Sequence, residues 1–255
     1  MELDLRIKTQ LYEQGYIQIP GAVSRALVDD ALKAINHGLG EGIPAERIAQ
    51  YRAQSFLPEL QSSPAITNLL HRSSAMDALR SVLDVDRIHP VRSGQIALRF
   101  PIAGSEPRPA HPHIDGMYTP SNGVREGTID NFTALVGVLL SDLPNPNAGN
   151  FTVWPGTHRS FGDYFRQHGA EALLEGLPPI EWPDPAQVTG KSGDLILAHY
   201  TLAHGIASNV SPHIRYAVFF RIKHMDIDET SWQAPMQDIW MHWPGMRPAL
   251  PTGER

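Results

Sequence analysis

The sequence contains no cysteine, which excludes disulfides, thiolate-held metals, iron-sulfur clusters and a cysteine nucleophile together. Any metal must be held by nitrogen and oxygen. Long apolar runs are also missing, and the opening stretch MELDLRIKTQLYEQGY has neither an apolar signal core nor a basic amphipathic face. No membrane partner is expected, and a cytoplasmic location is the simplest expectation. Positive charge is scarce: 21 Lys and Arg against 27 Asp and Glu give a formal net charge of -6. Such a balance offers no attraction to a phosphate backbone or anionic lipid, so nucleic acid is not an expected partner.

What the chain does have suits a β enzyme. Its 255 residues are 42% hydrophobic and 19% charged, which excludes disorder and coiled coil and fits one domain spanning 1-255. The 21 glycines and 22 prolines are spread along the chain, so short elements joined by many turns are expected. Residues 1-90 read as mainly helical after the short strand YIQIP (16-20). Ser24 can cap a helix with Leu27, Ala31, Leu32 and Ile35 at helical spacing, ending at Gly38 and Gly40, and Ser63-Pro64 opens two further short helices up to residue 84. From Val91 the pattern changes to VRSGQIALRFP, HPHIDGMY, FTALVGVLLSDL, FTVW, DLILAHY and IRYAVFFRI. Short β-rich runs without regularly interposed helices predict an antiparallel jelly roll over 91-223, with a helical insertion over 158-176. The tail 224-255, which holds three of the five tryptophans and is broken by proline, is expected to pack across the barrel irregularly.

Within the strand candidate HPHIDG, His113 and Asp115 are two apart and would share a face, a geometry that chelates one ion. A distant imidazole, His204, would complete two histidines and one carboxylate, leaving positions open for oxygen and a cosubstrate. Such a pair arises easily by chance among 12 histidines and 27 acidic residues. A second signal accompanies it: Arg215 lies eleven positions after His204 in a separate strand-like run. A buried arginine needs an anion, and its fork of donors matches a carboxylate.

The segments YEQGYIQIPGAVSRALVDDAL, HPHIDG, AGNFTVWPGTHRS and KSGDLILAHYTLAHGIASNVSPHIRYAVFFR occur in this order. Together they resemble the phytanoyl-CoA dioxygenase family of iron(II)/2-oxoglutarate-dependent oxygenases. The resemblance covers most of residues 10-223. It implies a double-stranded β-helix (a cupin-like jelly roll) with N-terminal helices, Fe(II) held by His113, Asp115 and His204, and 2-oxoglutarate held by Arg215. It also implies O2-dependent hydroxylation of a small molecule, with 2-oxoglutarate converted to succinate and CO2. The same chemistry serves desaturation, epimerisation or ring closure. Many members carry a serine two positions after the distal histidine; here that position is Ile206, and Ser208 is the alternative hydroxyl. Halogenating relatives replace the metal-binding carboxylate, whereas Asp115 is retained.

Further candidates follow from strand alternation. Gln95 and Arg99 share a face on the strand before the metal motif and could reach cosubstrate or substrate. Thr133 and Trp154 are candidates for the cosubstrate pocket, with core packing as the alternative. His111 could rival His113 as a ligand or line the entrance on the substrate side. His199 reads as a satisfied core histidine, and His158, in PGTH, as a turn stabiliser. The polar loop TPSNGVREGTID (119-130) could cover the substrate. No basic cluster stands out along the chain, so the expected substrate is a small, uncharged-to-polar metabolite. A cupin-type metal isomerase or hydrolase, which has no need of Arg215, and a non-catalytic ligand-binding barrel are the rival readings.

Overall fold

The computed structural model describes residues 2-102, 104-228 and 230-252. Asp4 accepts the Ile7 amide and starts α1 (Leu5–Gln14), which Gly15 ends with a left-handed φ of 79°. Strand β1 (Tyr16–Ile19) leads into α2 (Arg25–Gly40), whose buried face repeats as Val28, Ala31, Ile35 and Gly38. Ser24 occupies the N-cap of α2, but its side chain makes no capping bond, contrary to the expectation from sequence. Then come α3 (Ile48–Ala53), α4 (Pro64–His71) and α5 (Ala75–Arg80), with Pro64 at the first helical turn. The remaining elements are β2 (Gln95–Arg99), β3 (Ala134–Leu139), β4 (Phe151–Val153), α6 (Thr157–His168), β5 (Ala186–Gln187), β6 (Leu195–His199), β7 (His204–Ile206), β8 (Arg215–Ile222) and α7 (Ala234–Gln237).

The strands form two antiparallel sheets, of order β1-β6-β3-β8-β2 and β5-β4-β7. Alternation sorts the larger sheet's side chains between two cores. Val136, Val138, Leu195, Leu197, Val218 and Phe220 face a core shared with α2, α4, α5 and the C-terminal tryptophans Trp240 and Trp243. Leu135, Leu139, Ile196, Ala198, Ala217 and Phe219 face a second core shared with Phe151 and Val153 of the smaller sheet. Burial on both faces explains why ALVGVL and LILA read as continuous apolar runs. Each fully buried Leu, Ile, Val or Phe contributes about 1.5–3 kcal/mol relative to exposure, which fixes the strand register strongly.

One predicted strand is absent. HPHIDGMY forms only isolated bridges, at His113 to His204 and at Met117 to Ile129. A turn at Asp115 and Gly116 interrupts it, and Gly116 has φ 84° with the Asp130 carbonyl 2.3 Å from where a Cβ would stand. Only glycine fits there.

Candidate metal centre and its cavity

His204 opens β7, and its backbone exchanges both hydrogen bonds with His113, at 2.9 and 3.0 Å. This directly opposed pair sets the two imidazoles side by side, with ring centroids 4.5 Å apart. The turn after Ile114 brings Asp115 to them: its Oδ1 lies 3.5 Å from His113 Nε2 and 3.6 Å from His204 Nε2. Alternation along a strand predicted this meeting, but the turn achieves it. His204 Nδ1 donates to the Leu202 carbonyl at 3.0 Å, which leaves Nε2 as the lone-pair nitrogen facing Asp115. Two acceptors facing each other at that distance call for a cation between them, and nitrogen and oxygen donors suit iron, zinc or manganese.

Arg221 Nη2 donates to the other Asp115 oxygen at 2.8 Å. Burial raises the Asp115 carboxyl's pKa, but the Arg221 charge and the two neighbouring imidazoles outweigh burial and hold it well below the usual carboxylate range. Sequence reading missed Arg221. Its signal was parity: Arg215 and Arg221 are six apart on one strand, and strand positions of equal parity share a face.

The three residues line a cavity of about 720 Å³, together with Gln95, Arg99, Phe151, Ile206, Phe219 and Arg52. Thr119, Asn122, Val124 and Asp130 of the 119-130 loop also border it. That loop is tied to the helical part of the chain, where Gln54 Nε2 donates to the Ser121 carbonyl at 3.0 Å. The expectation of no basic cluster therefore does not survive folding, because Arg52, Arg99 and Arg221 converge from distant parts of the chain.

Arg215 is 2% exposed. Its Nε donates to the Gly149 carbonyl at 2.8 Å and its Nη1 to the Ala97 carbonyl at 3.0 Å, while its Nη2 has no hydrogen-bond partner. Burial and the neighbouring Arg99 charge lower its pKa well below the ordinary arginine value. The family-like motifs mostly hold this frame together. Gly149 of AGN has φ 78° and packs on the stems of Arg99 and Arg215. Asn209 donates to the carbonyls of Arg99 and His213, both at 2.7 Å. Thr157 of PGTH accepts from the Ala203 amide at 3.0 Å, just before His204.

Four side chains expected at the site stand elsewhere. Ser208 spends its hydroxyl on the backbone of Arg108. Thr133 Oγ1 accepts from the His224 amide at 3.1 Å, and Trp154 is buried in the second core against Trp182. His111 is exposed and does not line the cavity; its carbonyl packs against Gly205. His199 is a satisfied core histidine, donating to the Ile239 carbonyl at 2.7 Å and accepting from Thr201. His158 reaches beyond its turn to the Tyr12 carbonyl at 2.9 Å.

A second cluster, His224, Asp226 and His242, has the residue types of a metal site. Its imidazoles stack face to face at 4.0 Å and 10°, and Asp226 pairs with Arg87 at 2.5 Å. Stacked rings aim their nitrogens in parallel rather than at a common point, so the His113 cluster is the stronger candidate.

Among solved structures, HygX from Streptomyces hygroscopicus with nickel and 2-oxoglutarate bound is 18% identical, covering 90% of each chain at a TM-score of 0.58. The non-heme alpha ketoglutarate dependent carbocyclase SnoK from nogalamycin biosynthesis is 21% identical, covering 88% of this chain and 85% of its own at a TM-score of 0.57. EctD from S. alaskensis with 2-oxoglutarate and 5-hydroxyectoine is 18% identical, covering 87% and 76% at 0.55. These likenesses establish the fold. No curated protein matches the chain. The model of the phytanoyl-CoA dioxygenase (PhyH) family matches residues 11–217, and the chain belongs to that family.

Proposed function

We propose that this chain is an iron(II)/2-oxoglutarate-dependent oxygenase that hydroxylates a small-molecule metabolite. One observation carries the reading: a facing pair of histidines and a half-buried, ionised aspartate share a cavity whose sheet also holds an arginine with a free, buried Nη2. A metal isomerase or hydrolase needs the first feature and not the second.

His113, Asp115 and His204 are the residues that would hold iron(II). When bound, the iron would couple decarboxylation of 2-oxoglutarate, with O2, to oxidation of a substrate C–H bond, releasing succinate and CO2. The remaining work falls to the chain. The Leu202 carbonyl keeps His204 in the tautomer that ligates, and Arg221 keeps Asp115 ionised. Arg215 would hold the far carboxylate of 2-oxoglutarate, and Gln95, which lines the cavity from β2, would face the cosubstrate. Phe151, Ile206 and Phe219 give the cavity an apolar wall that would keep water from the reacting carbon. The reading treats 1-255 as one oxygenase domain, with the two sheets forming a double-stranded β-helix. HygX and EctD, crystallised with 2-oxoglutarate, support the cosubstrate. The cavity's volume suits a drug-sized metabolite, and the 119-130 loop borders its mouth.

The test is titration of 2-oxoglutarate into nickel-loaded and metal-free protein. Binding confined to the metal form is expected; equal binding to both forms, or none to either, contradicts the reading.

A further inference from the structure

Arg52 belongs to α3, in the helical part of the chain and outside both sheets, yet it lines the cavity of His113, Asp115 and His204. Its place is fixed by the residues around it. The buried Ser55 Oγ accepts from the Ile96 amide of β2 at 3.0 Å, and the Phe56 amide donates to the Ile96 carbonyl at 2.9 Å. Tyr51 packs on Phe56 with ring centroids 6.0 Å apart, so backbone and core together dock the end of α3 on the larger sheet. Gln54 ties the same segment to Ser121 of the 119-130 loop. Arg52 is itself exposed, which places its charge where the cavity opens to solvent.

That charge is unanswered. Among the described residues Arg52 has no hydrogen-bond or ion-pair partner, whereas Arg47, earlier in the same helical stretch, lies over the Tyr51 ring at 4.7 Å. The two carboxylates of the cavity wall are already matched, Asp115 by Arg221 at 2.8 Å and Asp130 by Lys223 at 2.9 Å. Arg52 instead stands near a like charge: burial, and then the Arg52 charge, push the Arg99 pKa down to about 10. Iron(II) and dianionic 2-oxoglutarate would cancel each other's charge, so loading the centre leaves the surplus in place. A chain of net charge -6 thus carries a cavity with excess positive charge. Holding like charges together costs free energy that an incoming anion recovers.

We propose that the primary substrate is a small metabolite bearing an oxyanion, a carboxylate or a phosphate, and that Arg52 binds this group at the open side of the cavity. The proposal rests on the oxygenase reading above and names its substrate class, in place of the uncharged-to-polar metabolite expected from the sequence. The apolar wall of Phe151, Ile206 and Phe219 takes the carbon skeleton, while the anion held at Arg52 fixes which carbon can approach the metal. A cationic analogue meets unmatched guanidinium charge, so the same residue rejects as well as selects.

The test is a ligand-observed NMR screen of nickel-loaded protein saturated with 2-oxoglutarate. The probes are small carboxylic acids, alkyl phosphates, neutral amides and amines built on the same aliphatic and aromatic skeletons. Wild type is expected to bind the acids or the phosphates at least about tenfold more tightly than the matched amides, and the tighter of the two anions names the group. Arg52→Gln should lose that preference by about tenfold, with nickel content unchanged and 2-oxoglutarate affinity within about twofold of wild type. Arg52→Lys, which keeps the charge without the fork, should retain part of it. Amides or amines bound by wild type as tightly as the anions, no anion bound at all, or an anion preference unchanged in Arg52→Gln overturns the proposal. A parallel loss of 2-oxoglutarate in Arg52→Gln overturns it too, by assigning the charge to the cosubstrate. If nickel-loaded wild type binds no 2-oxoglutarate, the oxygenase reading itself fails and the proposal falls with it.

Discussion

His113 and His204 are locked to one another through their backbones before either side chain meets a metal, by amide-to-carbonyl bonds of 2.9 and 3.0 Å. The spacing of the two imidazoles is therefore a property of strand pairing. Gly205 makes the approach possible, since a Cβ there would stand 2.5 Å from the His111 carbonyl oxygen. Gly205→Ala should push the His111-to-His113 segment away from β7. The expected result is about tenfold or greater loss of metal affinity with all three ligands present, and about 1–3 kcal/mol lower stability in denaturant melts.

Removing a ligand should act more simply. His204→Ala and Asp115→Ala are expected to lower metal affinity by more than about a hundredfold, read as bound metal after dialysis, while circular dichroism stays that of a folded protein. Asp115→Ala also strands Arg221, which is 40% exposed at its side chain and can turn to water. Its stability cost should accordingly be small.

Much of the fold was legible because burial writes itself into sequence. ALVGVL and LILA are apolar throughout since both faces of β3 and β6 are covered, and the 3-and-4 spacing of Val28, Ala31 and Ile35 marks the face of α2. The site was legible only in part. His113 and Asp115 were paired on the premise of one strand, yet Asp115 arrives by a turn that Gly116 permits. Arg52, Arg99 and Arg221 gather at the cavity only because β2 lies beside β8 and α3 borders it, and a one-dimensional search for basic clusters cannot see that. Thr133 and Trp154 were misplaced because alternation tells which face a side chain takes and not how far along the sheet the cavity extends, and Ser208, offered as the hydroxyl replacing the one missing at Ile206, is instead bonded to the backbone of Arg108.

Arg215 and the metal ligands should separate experimentally. Arg215→Met is expected to keep its metal and to weaken 2-oxoglutarate by about a hundredfold or more, since it removes the charge-assisted contact of a buried guanidinium. The Gly149 and Ala97 carbonyls lose their donors in this variant, so its Tm should fall too. Metal loss in parallel with cosubstrate loss would place Arg215 in the scaffold alone.

The buried His199 predicts an acid-sensitive fold. Its Nδ1 accepts from both the amide and hydroxyl of Thr201, so a proton on that nitrogen would displace both bonds, and burial pushes the pKa down to about 4. The folded state resists a proton that the unfolded chain takes up near the ordinary histidine value of about 6.5. Stability is therefore fully present above about pH 6.5 and is lost as pH falls toward 4, by roughly 3 kcal/mol for this group. Denaturant melts from pH 7 to 4 should show that slope, and His199→Gln should flatten it while lowering stability at pH 7.

The central claim is iron-dependent turnover of 2-oxoglutarate, and succinate release measures it most directly. Aerobic incubation with Fe(II), ascorbate and 2-oxoglutarate should give slow uncoupled succinate formation in wild type, even without the primary substrate, and none in His204→Ala. Succinate absent from iron-loaded wild type that binds 2-oxoglutarate, or formed equally by the His204→Ala variant, would contradict the account.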